Sequence, residues 1–128
     1  MSLDFYLEAD DALTVELLGQ ALEEAGACEV IIAEGALEAV FSSGLTVASP
    51  RMTSHSEIYA EEAKGLDFRV AMRCNIRIKG PEPEGQSSLG DLDKIAHFVA
   101  ERCSCHFLIS FQFEQTKYWR DAVGLHRG

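Results

Sequence analysis

From Phe68 to Lys79 the chain alternates without a break. Phe68, Val70, Met72, Cys74, Ile76 and Ile78 take one set of positions, and Arg69, Ala71, Arg73, Asn75, Arg77 and Lys79 the other. Successive side chains of an extended strand point to opposite faces, so this pattern spells a strand with one apolar and one basic face. A slip of one residue would exchange the two faces, which fixes the register strongly. An apolar sheet face has to be covered, and helices elsewhere in the chain must supply the cover.

Two segments have the required helical spacing. Leu13, Leu17, Leu18, Ala21, Leu22 and Ala25 form one apolar stripe, with Asp10 and Asp11 as N-cap candidates and Gly26 placed for a left-handed C-cap. Leu92, Ile95, Ala96, Val99 and Cys103 form the other, capped by Ser87 or Ser88, with Asp91 completing a capping box after Ser88.

The remaining periodicity is strand-like. Leu3, Phe5 and Leu7 alternate with Asp4, Tyr6 and Glu8, and Ala27 to Ala33 reads as a second strand. Turns at 34–36 and 42–44 bracket strands from Leu37 to Phe41 and Leu45 to Ala48. Ser49 to Lys64 reads as a mobile connection with a short strand around Ile58 and Tyr59. Phe107, Ile109, Phe111 and Phe113 alternate with His106, Leu108, Ser110 and Gln112 as a last long strand, before a tail hairpin turning at Asp121 to Gly124. The expectation is a single α+β domain over residues 1–128. Its architecture would be a ferredoxin-like two-layer sandwich, mainly antiparallel, with two helices on one face and extra strands.

Charge is distributed unevenly along this order. The formal net charge is −10, and before Arg51 there are acids (Asp4, Glu8, Asp10, Asp11, Glu16, Glu23, Glu24, Glu29, Glu34, Glu38) but no Lys or Arg. Beyond that point acids and bases balance, so the first part of the chain carries the whole excess. Such a field repels nucleic acid and anionic membrane and attracts basic partners. The longest apolar stretches, Val30 to Ala33 and Phe107 to Ile109, fall far short of the ~20 residues that span a bilayer. The N-terminal residues show no basic region leading into an apolar run. The expectation is a cytoplasmic protein whose cysteines, Cys28, Cys74, Cys103 and Cys105, are reduced thiols.

Candidate chemistry is sparse. Cys103, Cys105 and His106 are soft donors close in sequence, but no second ligand group accompanies them, so a buried helix end explains them more simply. Ser54, His55 and Ser56 supply nucleophile and base types without a strained nucleophile turn. His97 lies four residues from both Asp93 and Glu101, an ordinary helix-face arrangement. Asp10 with Asp11, and Glu61 with Glu62, would both stay ionised in a cap and a polar loop, unlike a working acid–base pair. No glycine-rich phosphate loop is present. The basic stripe of Arg69, Arg73, Arg77 and Lys79 lacks stacking aromatics on its own face and instead suits cross-strand pairing with Asp4 and Glu8. The expectation is therefore no catalytic residue, cofactor or metal.

The closing stretch Phe-Gln-Phe-Glu-Gln-Thr-Lys-Tyr-Trp-Arg-Asp-Ala-Val-Gly-Leu, Phe111 to Leu125, resembles closing segments of acidic immunity proteins from bacterial polymorphic toxin systems. The resemblance implies a non-enzymatic inhibitor that covers the active site of a basic toxin domain, and carries over no individual residues. On the charge split, the expected contact surface comprises Asp10, Asp11, Glu34, Glu38, Glu57 and Glu61, with Tyr59 or Trp119 as aromatic anchor. Two alternatives stand beside it. One is a small enzyme or ligand-binding domain with a site between the helices and loop 49–64. The other is a homo-oligomer, such as a homodimer, joined through an open sheet face.

Overall fold

A computed structural model of the chain describes residues 2–50 and 55–128. In chain order the elements are β1 (Ser2–Ala9), α1 (Val15–Ala25), β2 (Glu29–Ala33), β3 (Ala36–Val40), β4 (Thr46–Ser49), β5 (Met72–Lys79), α2 (Ser88–Arg102), β6 (Phe107–Phe111), β7 (Gln115–Arg120) and β8 (Leu125–Arg127). The strands form one antiparallel eight-stranded sheet in the order β2-β3-β4-β5-β1-β6-β7-β8. The α+β class follows directly.

The alternation read in the sequence sets the two faces. Leu7 lies between Cys74 of β5 and Ile109 of β6, and all three are buried. They share a core with Leu37, Val47 and Ile76 of the sheet and with Leu18 and Leu22 of α1 and Ile95 and Val99 of α2. The helices also touch each other, through Arg102 donating to Gln20 at 2.9 Å. A side chain on Gly19 would meet Ile32 Cδ1 at 3.0 Å, so the glycine lets α1 lie close on β2.

The start of α1 differs from the expected cap, and the start of α2 keeps the expected serine cap without the capping box. The N-cap of α1 is Thr14, whose hydroxyl accepts from Leu17 N–H at 3.1 Å. Asp10 instead accepts from the N–H groups of Ala12 and His106, both at 3.0 Å, and ties the end of β1 to the start of β6. Ser87 caps α2 by accepting from Gly90 N–H at 3.0 Å. No capping box forms there: Ser88 N–H donates to the Glu82 carboxylate, and Asp91 accepts from the Ser43 hydroxyl at 2.6 Å. Gly26 ends α1 at φ 107°, as its position predicts.

The opposite face of the sheet is where the sequence reading needs most correction. Ile58 and Tyr59 form no strand. Of the crossing segment 55–71, residues 55–60 lie over the outer face of β5 and β1, held by Arg73 and Glu8, and Glu61 and Glu62 then bond to Phe113 and to Thr116 of β7. The strand expected from Phe68 begins at Met72, because Phe68 to Val70 belong to this crossing segment, with Val70 N–H bonded to Ser56 O at 2.8 Å. The last long strand ends at Phe111. Gln112 and Phe113 adopt φ of 53° and 63° and turn the chain into β7. Phe113 thereby leaves the core and stacks on Tyr6, with ring centroids 3.9 Å apart. The tail hairpin forms as expected between β7 and β8.

Candidate functional site: the outer face of the sheet

Two cross-strand ion pairs organise the outer face. Asp4 and Arg77 are paired in the β1–β5 register and meet at 2.9 Å. Glu8 and Arg73, also register partners, meet at 3.0 Å, and Glu8 is fully buried. One Glu8 oxygen accepts from Ala60 N–H at 3.0 Å; the other accepts from Tyr59 N–H at 2.8 Å and from Arg73 Nε at 3.1 Å. Arg73 then donates to the carbonyls of His55 at 3.1 Å and Glu57 at 2.6 Å, and its guanidinium lies 3.8 Å from the Tyr59 ring centroid. A buried carboxylate is tolerated only with such complete satisfaction. Two members of the basic stripe, Arg73 and Arg77, thus form the expected cross-strand pairs, while Arg69 and Lys79 are exposed. The Arg77 bond, then Asn75, holds the Asp4 carboxyl below its ordinary value.

In the described part of the crossing segment, residues 55–70 make no hydrogen bond to β2, β3 or β4. Beside it lies an open trough of about 530 Å³, floored by Ile31, Ala33, Ala36 and Ala48 and bounded by Tyr6, Glu38, Arg73 and Asn75. Its volume is that of a small-ligand site, and its lining is mainly apolar. Ile31 in the trough and Val40 at the end of β3 are nearly half exposed. The helices lie beyond the sheet from this trough and from the crossing segment. A site between the helices and loop 49–64 therefore does not form among the described residues; Arg51 to Ser54 lie outside them.

The residues expected to bind a partner do not converge on one spot. Glu38 lines the trough, and Glu34 sits exposed in the two-residue turn to β3 at φ 53°. Glu57 and Glu61 are exposed on the crossing segment, where Tyr59 is pinned between Arg73 and the edge of Phe113. Trp119 is half-buried on β7, stacked on His126 at 5.3 Å and facing the Lys64 ammonium at 5.0 Å. Asp11 is exposed at the end of β1, but Asp10 is committed to backbone bonds. Four strand steps of about 4.8 Å separate the β1 end from the β2 end, roughly 19 Å. These groups make a broad surface and not a small-molecule site.

Of the ten acids before Arg51, Asp4, Glu8, Asp10 and Glu24 pair with Arg77, Arg73, His106 and Arg102. Asp11, Glu16, Glu23, Glu29, Glu34 and Glu38 have no ion pair among the described residues, and all are exposed. Glu29 begins β2, Glu34 lies in the turn that follows it, and Glu38 is on β3. Sequence reasoning passed over Glu29, Ile31, Ile32 and Val40, because period-two alternation marks a strand without marking it as an edge.

Cys103 and Cys105, singled out in the sequence as soft donors, are buried at the α2–β6 junction. The Cys103 thiol donates to Ala12 O at 3.1 Å, and burial pushes the Cys105 thiol well above its ordinary range. His106 lies 3.5 Å from Asp10. No group of three or more His, Cys, Asp or Glu fit to hold a metal occurs among the described residues. Likewise, no helix among them is long and apolar enough to cross a membrane. His97 Nδ1–H donates to Asp93 O at 2.9 Å on the exposed face of α2.

Fold and site together define an α+β protein with an acidic edge and a sheet face that the described residues cover on one side. No protein-family model, curated protein or solved structure matches the chain.

Proposed function

We propose that this chain is a non-enzymatic protein-binding module that neutralises a basic protein by covering its active site, in the manner of immunity proteins against toxin domains. The observation that carries the reading is the half of the outer face that no other described residue covers, where an apolar trough adjoins Glu34 and Glu38, acids without an internal counter-charge among the described residues. An apolar centre rimmed by one sign of charge suits a partner of the opposite sign, and the field would steer its approach. The same reading gives the protein a cytoplasmic setting, in keeping with four free cysteines, and no nucleic-acid or membrane partner.

For the fold we favour a ferredoxin-like sandwich. Taking β1-α1-β4-β5-α2-β6 as its core, the order β4-β5-β1-β6 supports this, with β2–β3 and β7–β8 as added strands.

The trough's volume favours a second reading, a domain that binds a small apolar ligand. Capture from lysate of the source organism, washed in steps of rising salt, separates the two. One basic protein retained in equal amount and lost with Glu34→Lys/Glu38→Lys supports the binding module. Retention of no protein, with a small molecule found in native mass spectra of the purified chain, supports the ligand domain.

A further inference from the structure

β2 is an edge of the sheet, and no described residue pairs with its free side. Natural edges are commonly protected by Lys, Pro, a bulge or a covering element. β2 has none of these: its sequence is Glu-Val-Ile-Ile-Ala, its register with β3 runs without a bulge, and Ile31 and Ile32 are 49% and 42% exposed. An edge strand left in this condition is a template for another strand.

Charge decides which strand. Glu29 opens β2 and Glu34 follows its last residue, Glu38 is the register partner of Ile31, and residues 1–50 contain no Lys or Arg. A second copy of this chain pairing edge to edge would bring those acids together in duplicate, and like charges across a strand pair are destabilising. An extended segment with basic residues meets the opposite situation.

We propose that the free edge of β2 accepts an extended cationic strand from the partner. One of its apolar side chains packs against Ile31 at the trough, and its basic side chains reach Glu29, Glu34 and Glu38. The inference rests on the binding-module reading and specifies how that partner docks. Main-chain bonds to β2 supply the register, and the acids select the partner's sign.

The test uses the full chain, isotope-labelled, and a short blocked peptide alternating valine and lysine. Two controls are the same peptide with glutamate for lysine and the lysine peptide N-methylated along one edge. Amide signals and hydrogen exchange are read by NMR. Binding of the lysine peptide should slow exchange within Glu29–Ala33 and weaken as salt rises. N-methylation should weaken it about tenfold, as should Glu29→Lys/Glu34→Lys/Glu38→Lys. An N-methylated peptide that binds equally well overturns strand addition while leaving a basic partner in place. A lysine peptide that binds no better than the glutamate one overturns both. Protection of β2 that rises with protein concentration alone assigns the edge to a second copy and also overturns the proposal.

Discussion

Glu8 and Arg73 face each other across β1 and β5 at 3.0 Å, and their contact fastens the chain from His55 to Ala60 onto the sheet. Glu8 is fully buried and serves the backbone N–H groups of Tyr59 and Ala60 as well as the guanidinium. Removing one partner strands the other charge and two donors together. Glu8→Ala should therefore cost about 3–5 kcal/mol in urea unfolding. The double variant Glu8→Ala/Arg73→Ala should cost clearly less than the two single changes summed, and additive costs would show that the pair is not coupled.

How much of this was legible in the sequence differs between the two sides of the sheet. Phe5, Leu7, Cys74, Ile76 and Ile109 announce the inner face by alternation, and Leu92, Ile95 and Val99 announce the helix that covers it. The outer face is less readable. Glu8 has the sequence signature of a solvent-facing strand residue, and only the return of residues 55–60, more than forty positions away, buries it. Phe113 continues the apolar alternation of Phe107 to Phe111, yet the positive φ at Gln112 and Phe113 turns it to Tyr6. Hydrogen bonds between distant segments make these differences, and local periodicity carries no record of them. The edge position of β2 is invisible for the same reason, since strand order is a tertiary property.

Thiol reactivity should distinguish the four cysteines. Cys28 is exposed and the other three are buried. A thiol reagent should modify Cys28 rapidly in the native protein and Cys74, Cys103 and Cys105 only as the protein unfolds. Rapid reaction of all four would contradict the packing of the α2–β6 junction.

Alkaline pH should destabilise the fold through Cys74. Burial pushes its thiol from an ordinary 9.0 up to about 12. The unfolded chain then loses this proton first, so the contribution is intact below pH 9.0 and is lost as pH rises towards about 12. The slope should approach ~1.4 kcal/mol per pH unit from this group. Cys74→Ala should flatten the decline in stability above pH 9.0 that urea titrations record. An unchanged slope would remove Cys74 as its source.

Asp4 should act at the other end of the scale. Its carboxyl is held down chiefly by Arg77, so its contribution is present above the ordinary value of 3.8 and is lost as pH falls through the lower folded value. Asp4→Asn should lower stability at neutral pH and narrow the gap from the parent protein in acid. A gap that stays constant with pH would mean that the carboxylate charge is not involved.

The central claim is that the β2–β4 side of the outer face meets a basic protein. Amide hydrogen exchange, measured on the chain alone and in complex with the basic protein captured from lysate, tests it most directly. The expected result is protection concentrated in Glu29–Ala33 and Ala36–Val40, lost when salt releases the partner. Protection confined to α1 and α2, or the absence of any captured basic protein, would contradict it.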